Sequence, residues 1–149
     1  MKKLFILCLV PTFAFANWNV GYTNVDGDMG DGDSISLGAL NAAYTFENIQ
    51  DSDFSVQAGA LIGISDDELD GIDVELDPSY YLKGMYNVNE TFFISVNWAN
   101  VEATASYRGA TASASDSEAG FGFGFNIGDV TLMFDSIEDT DMFTIQYNF

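Results

Sequence analysis

The stretch Asp141-Met142-Phe143-Thr144-Ile145-Gln146-Tyr147-Asn148-Phe149 decides how this sequence is read. Phe143, Ile145, Tyr147 and Phe149 alternate with Met142, Thr144, Gln146 and Asn148. A period of two, with one apolar and one mostly polar face, predicts a β-strand. The sequence closes with an aromatic on the apolar face, where the end of a soluble domain would ordinarily fray. Something must cover that face: either lipid or the interior of a soluble β-protein.

Working back from this strand, the same alternation recurs. It runs over about 130–137, 117–127, 91–101, 74–86, 53–65, 34–46 and 17–25. The clearest case sets Phe54, Val56, Ala58, Ala60, Ile62 and Ile64 against Ser55, Gln57, Gly59, Leu61 and Gly63. In 117–127, Phe121, Phe123 and Phe125 alternate with Gly120, Gly122 and Gly124. Between 34 and 46, Ile35 and Leu37 fall out of phase with Leu40, Ala42, Tyr44 and Phe46, which predicts a bulge near Gly38. No segment keeps a helical period, so the fold class is all-β.

Eight strands are expected, with connections of two kinds. Residues 47–52, 87–90 and 128–129 are short; 26–33, 66–73 and 102–116 are longer and rich in Gly, Ser and acids, with 138–140 on the same side. Short turns at one end and long loops at the other predict an eight-stranded antiparallel up-and-down transmembrane β-barrel. Membrane strands need about nine to eleven residues, which these segments supply. A soluble lipocalin-like barrel would alternate too. The contents of the two faces favour lipid: one carries Phe, Tyr, Trp, Ile, Leu and Val without Lys or Arg, and the other is small and polar, suited to a narrow lumen. Trp18, Tyr44, Phe46, Tyr86, Phe92, Tyr147 and Phe149 cluster towards the short-turn end, as an interfacial girdle would.

The first sixteen residues agree. Lys2 and Lys3, the apolar run Leu4 to Val10 and the small-x-small Ala14-Phe15-Ala16 predict a signal peptide over 1–16, cleaved after Ala16. The barrel domain is then 17–149. The only cysteine, Cys8, lies in the signal; Phe5-Ile6-Leu7 lacks the small residues that precede a lipidated cysteine. The mature chain would have neither thiol nor disulfide chemistry. It would also carry a net charge of −21, with 23 acidic residues against Lys83 and Arg108. Such a chain does not bind nucleic acid by charge. The apolar content of the full sequence, 48%, excludes disorder as the reason for the acidity.

The Ala14-Phe15-Ala16 signal end, the Gly120 to Phe125 alternation and the Tyr147-Asn148-Phe149 terminus resemble the small eight-stranded outer-membrane β-barrels. These are the porin-family barrels of the outer-membrane protein X and opacity-protein type. The resemblance covers the mature chain. It implies residence in the bacterial outer membrane among lipid and lipopolysaccharide, and insertion by the barrel-assembly machinery. Tyr147 and Phe149 would then serve as the assembly signal. It also implies surface loops that meet external cell-surface or matrix ligands.

Chemistry is sparse. The sequence has no histidine, which removes Ser-His-Asp and Cys-His machinery and His metal sites. No catalytic residue, enzyme activity or cofactor is expected. Asp26, Asp28, Asp31 and Asp33 are weak Ca²⁺ candidates, but their spacing departs from an EF-hand and lacks its closing Glu. A solvated acidic loop is the simpler expectation. Lys83 is the only cation projected into the lumen. Glu75, Asp77, Glu118 and Asp135 are possible inward acids, of which Glu118 and Asp135 are retained as lumen residues with the partner of Lys83 left open. Tyr81, Met85, Phe93 and Met133 fall on the inward phase and can lean over the stripe Gly120, Gly122 and Gly124. A filled interior without a continuous water path is therefore expected. The function that follows is a structural or surface-interaction barrel, of adhesion type, acting through acidic outer loops. The alternatives are a narrow porin-like channel or a soluble exported ligand carrier.

Overall fold

A computed structural model describes residues 17–30, 33–47 and 52–149. The expected signal peptide over 1–16 lies outside the described residues. Strands form β1 (Trp18–Gly30), β2 (Asp33–Phe46), β3 (Phe54–Gly63), β4 (Asp66–Leu69), β5 (Ile72–Leu76), β6 (Ser79–Asn87), β7 (Phe92–Tyr107), β8 (Ala110–Ile127), β9 (Val130–Ile137) and β10 (Thr140–Asn148). β4 and β5 are an accessory hairpin. The other eight follow one another round a closed ring, each antiparallel to its sequence neighbour. Closure comes from β1 on β10, where Val20 meets Tyr147 and Tyr22 meets Ile145. A ring has no edge strand, so the backbone N–H and C=O groups along the wall face a neighbouring strand on either side.

The alternation settles the two faces. Asn19, Thr23, Asn41, Gln57, Ser95, Asn97, Thr131, Thr144 and Gln146 are buried inside. Val20, Leu40, Ile62, Leu82, Val96, Phe123 and Ile145 stand exposed outside. The outer face is apolar round all eight strands up to a defined level. Above that level it turns polar: Asn24 Nδ2 donates to Asp26 and to Ser36, and Asn100 Nδ2 to Ser117. Outward rings pack on one another, Phe123 on Phe134 at 5.2 Å and Phe134 on Phe143 at 4.7 Å. Each such pair contributes about 0.5–1.5 kcal/mol beyond area burial.

Three expectations are corrected. First, β2 has no bulge near Gly38. Ile35, Leu37, Ala39, Asn41, Ala43 and Thr45 are buried in one unbroken phase, and the register with β1 shifts only between Asp28 and Gly30. Ile35 and Leu37 are apolar because the upper interior is apolar. Second, the segment 74–86 is two strands. The chain leaves β5 at Asp77-Pro78, and there the phase flips, so Leu76 is buried and Tyr80 faces out. Proline has no N–H to give a ladder, so the break falls where it sits. Third, most of the long loops are strand. β1 and β2 run on through 26–30 and 33–37, β4 and β5 occupy 66–69 and 72–76, and β7 and β8 meet at the two-residue turn Arg108-Gly109. Arg108 and Gly109 have φ of 48° and 86°. Two successive positive φ values suit the twist of a hairpin, and glycine takes its value without strain.

Candidate functional site

The interior is stacked in three layers. At the short-turn end is a polar cup of about 380 Å³, lined by amides such as Asn19, Gln57, Asn126 and Asn148. The middle is closed. Lys83 on β6 and Asp135 on β9 come from strands that are not neighbours, so they meet across the lumen, Nζ to Oδ2 at 2.5 Å. Asn97 Nδ2 donates to Asp135 Oδ1 at 2.7 Å, Lys83 Nζ lies 3.3 Å from Met133 Sδ, and Tyr81 presents its ring to the ammonium at 5.6 Å. Both charges are almost fully buried, at 3% and 2% side-chain exposure. Burying an ion pair is tolerable only where further hydrogen bonds serve the remaining lone pairs and protons. Here Asn97 and Ser95 serve the carboxylate.

A second network closes the same layer from the other side. Tyr81 Oη stands 3.1 Å from Asn41 Oδ1 and 3.0 Å from Gln57 Oε1, with one proton to share between them. Asn41 Nδ2 donates to Thr23 Oγ1, which is 2.8 Å from Thr144 Oγ1. Gln57 Nε2 and Asn19 Nδ2 both donate to Thr45 Oγ1, at 3.0 and 2.7 Å. Between the two networks remains a void of about 10 Å³, the room of a single water.

The glycine stripe makes this packing possible. A Cβ on Gly124 would strike the Phe93 ring, one on Gly122 would strike Asp135 Oδ1, and one on Gly120 would lie 2.8 Å from Ile137 Cα. The space at Gly124 is taken by the large Phe93 ring, that at Gly122 by Asp135 and Ser95, and that at Gly120 by the Ser136 backbone oxygen and Ile137. Tyr81, Met85, Phe93 and Met133 are all buried in the interior.

At the long-hairpin end the interior opens into a third chamber of about 320 Å³. Its walls are apolar, with Val25, Ile35, Leu37, Leu76, Ala99 and Ile137 all buried. Its rim is acidic, with Asp28, Asp116, Glu118 and Asp139. Glu118 does not reach Lys83. It stands on β8 above the outward Phe121, beside Glu138 and Asp116. Partial desolvation, then hydrogen bonding and repulsion from Glu138 and Asp116, raise its carboxyl to about 7. The polar-lumen expectation is corrected here, since the upper third is an apolar chamber.

Three of the four weak Ca²⁺ candidates are described, and they point to different places. Asp26 points outward and accepts from Asn24, Asp28 sits at the chamber rim, Asp33 is exposed, and Asp31 lies outside the described residues. Among the described residues no group of three or more His, Cys, Asp or Glu could hold a metal ion. Tyr147 and Phe149 face outward with ring centroids 5.0 Å apart, and Phe149 N donates to Trp18 O at 2.9 Å. Sequence reasoning missed the Asn41–Tyr81–Gln57 network, Asn97 and the apolar chamber. The out-of-phase Ile35 and Leu37 were the available signal for the chamber.

No family model and no curated protein matches the sequence. Solved structures do. The attachment invasion locus protein Ail of Yersinia pestis matches with a TM-score of 0.57 at 16% identity, over 90% of this chain and 97% of that one. Ail in complex with the heparin analogue sucrose octasulfate matches at 0.57 and 18% identity over the same shares. Neisserial surface protein A matches at 0.53 and 11% identity, over 89% of this chain and 96% of that one. The chain has the fold of these small eight-stranded outer-membrane barrels. The likeness spans nearly the whole of each neighbour, so the closed ring is shared from end to end. At 11–18% identity the likeness is one of fold.

Proposed function

We propose that this chain is an exported bacterial outer-membrane barrel with a closed lumen, acting at the cell surface through its acidic long-hairpin end. One observation carries the reading: an apolar outer band encircles all eight strands and gives way to polar residues where the strands continue beyond it. β8 has 18 residues, against the about nine to eleven a bilayer crossing needs, so its upper part projects. The short turns would face the periplasm and the long hairpins the outside. Residues 1–16 would direct export, and Tyr147 with Phe149 would be read by the assembly machinery.

Ail is an attachment protein, and its heparin-analogue complex involves a polyanion. That ligand class does not transfer. The projecting hairpins here carry carboxylates with Arg108 as the one cation, and would repel a polysulfate. The outer partner is better sought among basic cell-surface or matrix proteins. An enzymatic role has no support in the residue set, which lacks histidine altogether. The Lys83–Asp135 layer speaks against a channel, since the void there is of single-water size.

Two measurements test the reading. Cells displaying the protein should bind matrix-coated surfaces above the level of cells without it. Replacing 103–114 by a two-residue turn should remove the excess while leaving the barrel folded. Purified protein in planar bilayers should give no steady single-channel conductance; steady openings would put the narrow channel first.

A further inference from the structure

The apolar chamber at the outer mouth has no part in closing the barrel. The Lys83–Asp135 layer below already does that, and a sealing plug would be filled rather than hollow. Its volume of about 320 Å³ is at the small end of ligand pockets, about 300–1,000 Å³. The walls are methyl and methylene groups from β1, β2, β7 and β9 of the ring and from β5, which is laddered onto β7, so the chamber is pre-formed. Among the described residues every ionisable group lining the chamber is acidic: Asp28 from β1, Asp116 and Glu118 from β8, Asp139 from the β9–β10 turn, with Glu138 beside Glu118. Neither Lys83 nor Arg108 lines it.

We infer that this chamber is a binding site for a small amphiphilic organic cation, with its apolar body against Leu37, Leu76 and Ile137 and its protonated amine among the rim carboxylates. Charge complementarity selects this occupant. A neutral apolar molecule would leave the repulsion of Glu118 by Glu138 and Asp116 in place, and an anion would meet the carboxylates head-on. A bare metal ion is not served, because the carboxylates ring a mouth and do not converge into a chelating set. An ammonium on an apolar stem satisfies both parts at once, gaining burial below and ion pairing above. The neighbouring Glu138 and Asp116 hold part of the Glu118 population protonated near neutral pH, so cation binding should expel that proton.

The inference rests on the surface reading only in placing the mouth outside the cell. Binding to purified protein tests the chamber whatever the adhesion assay gives. The full folded barrel in detergent micelles is titrated with 4-fluorophenethylammonium, followed by fluorine NMR. The anion 4-fluorophenylacetate and the alcohol 2-(4-fluorophenyl)ethanol serve as comparators. The amine should bind saturably, at least tenfold more tightly than either comparator, and more tightly at pH 8 than at pH 5. The carboxyl groups that face the mouth are Asp28, Asp116, Glu118 and Asp139, with Glu138 beside Glu118. The Ala114→Trp variant, which fills the chamber from an exposed lining position, should abolish binding. The pair Glu118→Gln with Asp139→Asn should weaken it at least fivefold. Heat-modifiable migration on gels reports that each variant is folded. Equal binding of amine and alcohol, no saturation with the unaltered protein, or full binding to folded Ala114→Trp would each overturn the inference. The comparator arm needs no variant and decides the matter if a variant does not fold.

Discussion

Lys83 carries the greatest structural consequence of any single residue. Its ammonium is buried at the barrel centre with one counter-ion, Asp135, from the opposite wall. Removing one member strands the other charge in a low-dielectric interior, at about 3–5 kcal/mol. Lys83→Met should therefore lower stability by about that amount in urea unfolding of the micelle-bound barrel. The double variant Lys83→Met with Asp135→Leu should recover most of it; a single variant within 1 kcal/mol of the parent would mean the pair is not buried as described. Glu118 acts in the other direction. Its folded-state pKa of about 7 lies above the ordinary 4.5, so the folded barrel binds the proton more tightly than the unfolded chain. Its contribution is neutral below about pH 4.5 and becomes increasingly unfavourable as pH rises through 7. Glu118→Gln should remove that part of the pH slope, measured as the unfolding midpoint from pH 4 to 8.

At the scale of strands, alternation carried most of the information. Existence, order and facing of the eight barrel strands were legible because each buries one face and exposes the other. Their upper ends were not. Beyond the apolar band the outer face turns polar while the inner face turns apolar, so 26–30, 33–37 and 102–116 lose the pattern that marks a half-buried strand yet keep their ladders. Hydrogen bonding across a hairpin continues where hydropathy no longer reports it. The lumen was legible by residue type: the glycine stripe signalled close neighbours, of which Phe93 over Gly124 is the large one, and Lys83 signalled a counter-ion. Which acid would meet it depends on shear and register, which no single strand encodes. The band makes its own prediction. An arginine at Phe123, packed between Phe92, Phe125 and Phe134, should cost about 2–4 kcal/mol in lipid, while one at the exposed Glu68 should change little. Unfolding in lipid vesicles measures both, and equal tolerance would reverse the assigned faces. β10 makes another. Phe149→Asp should reduce the outer-membrane level of the protein severalfold in cell fractions; unchanged levels would show that the terminal aromatic is not read during assembly.

As a whole the molecule is a ring of strands plugged at mid-height and open above into an acidic apolar chamber, and the proposed function sets that ring in lipid. The central claim is that the aromatic and aliphatic band faces acyl chains. The only two tryptophans report on it directly, because both point outward from opposite ends of the band. Trp18 packs edge-on to Tyr44 at the short-turn end, and Trp98 lies 5.8 Å from Tyr80 near the polar margin. Tryptophans at such margins sit at headgroup level. The decisive measurement is quenching of their fluorescence by brominated lipids after the barrel is folded into vesicles. Bromines near the headgroups should quench strongly and bromines near the chain ends weakly, in the parent and in each single variant Trp18→Phe and Trp98→Phe. Fluorescence unaffected by bromine at any depth would place the band in water and contradict the membrane barrel outright.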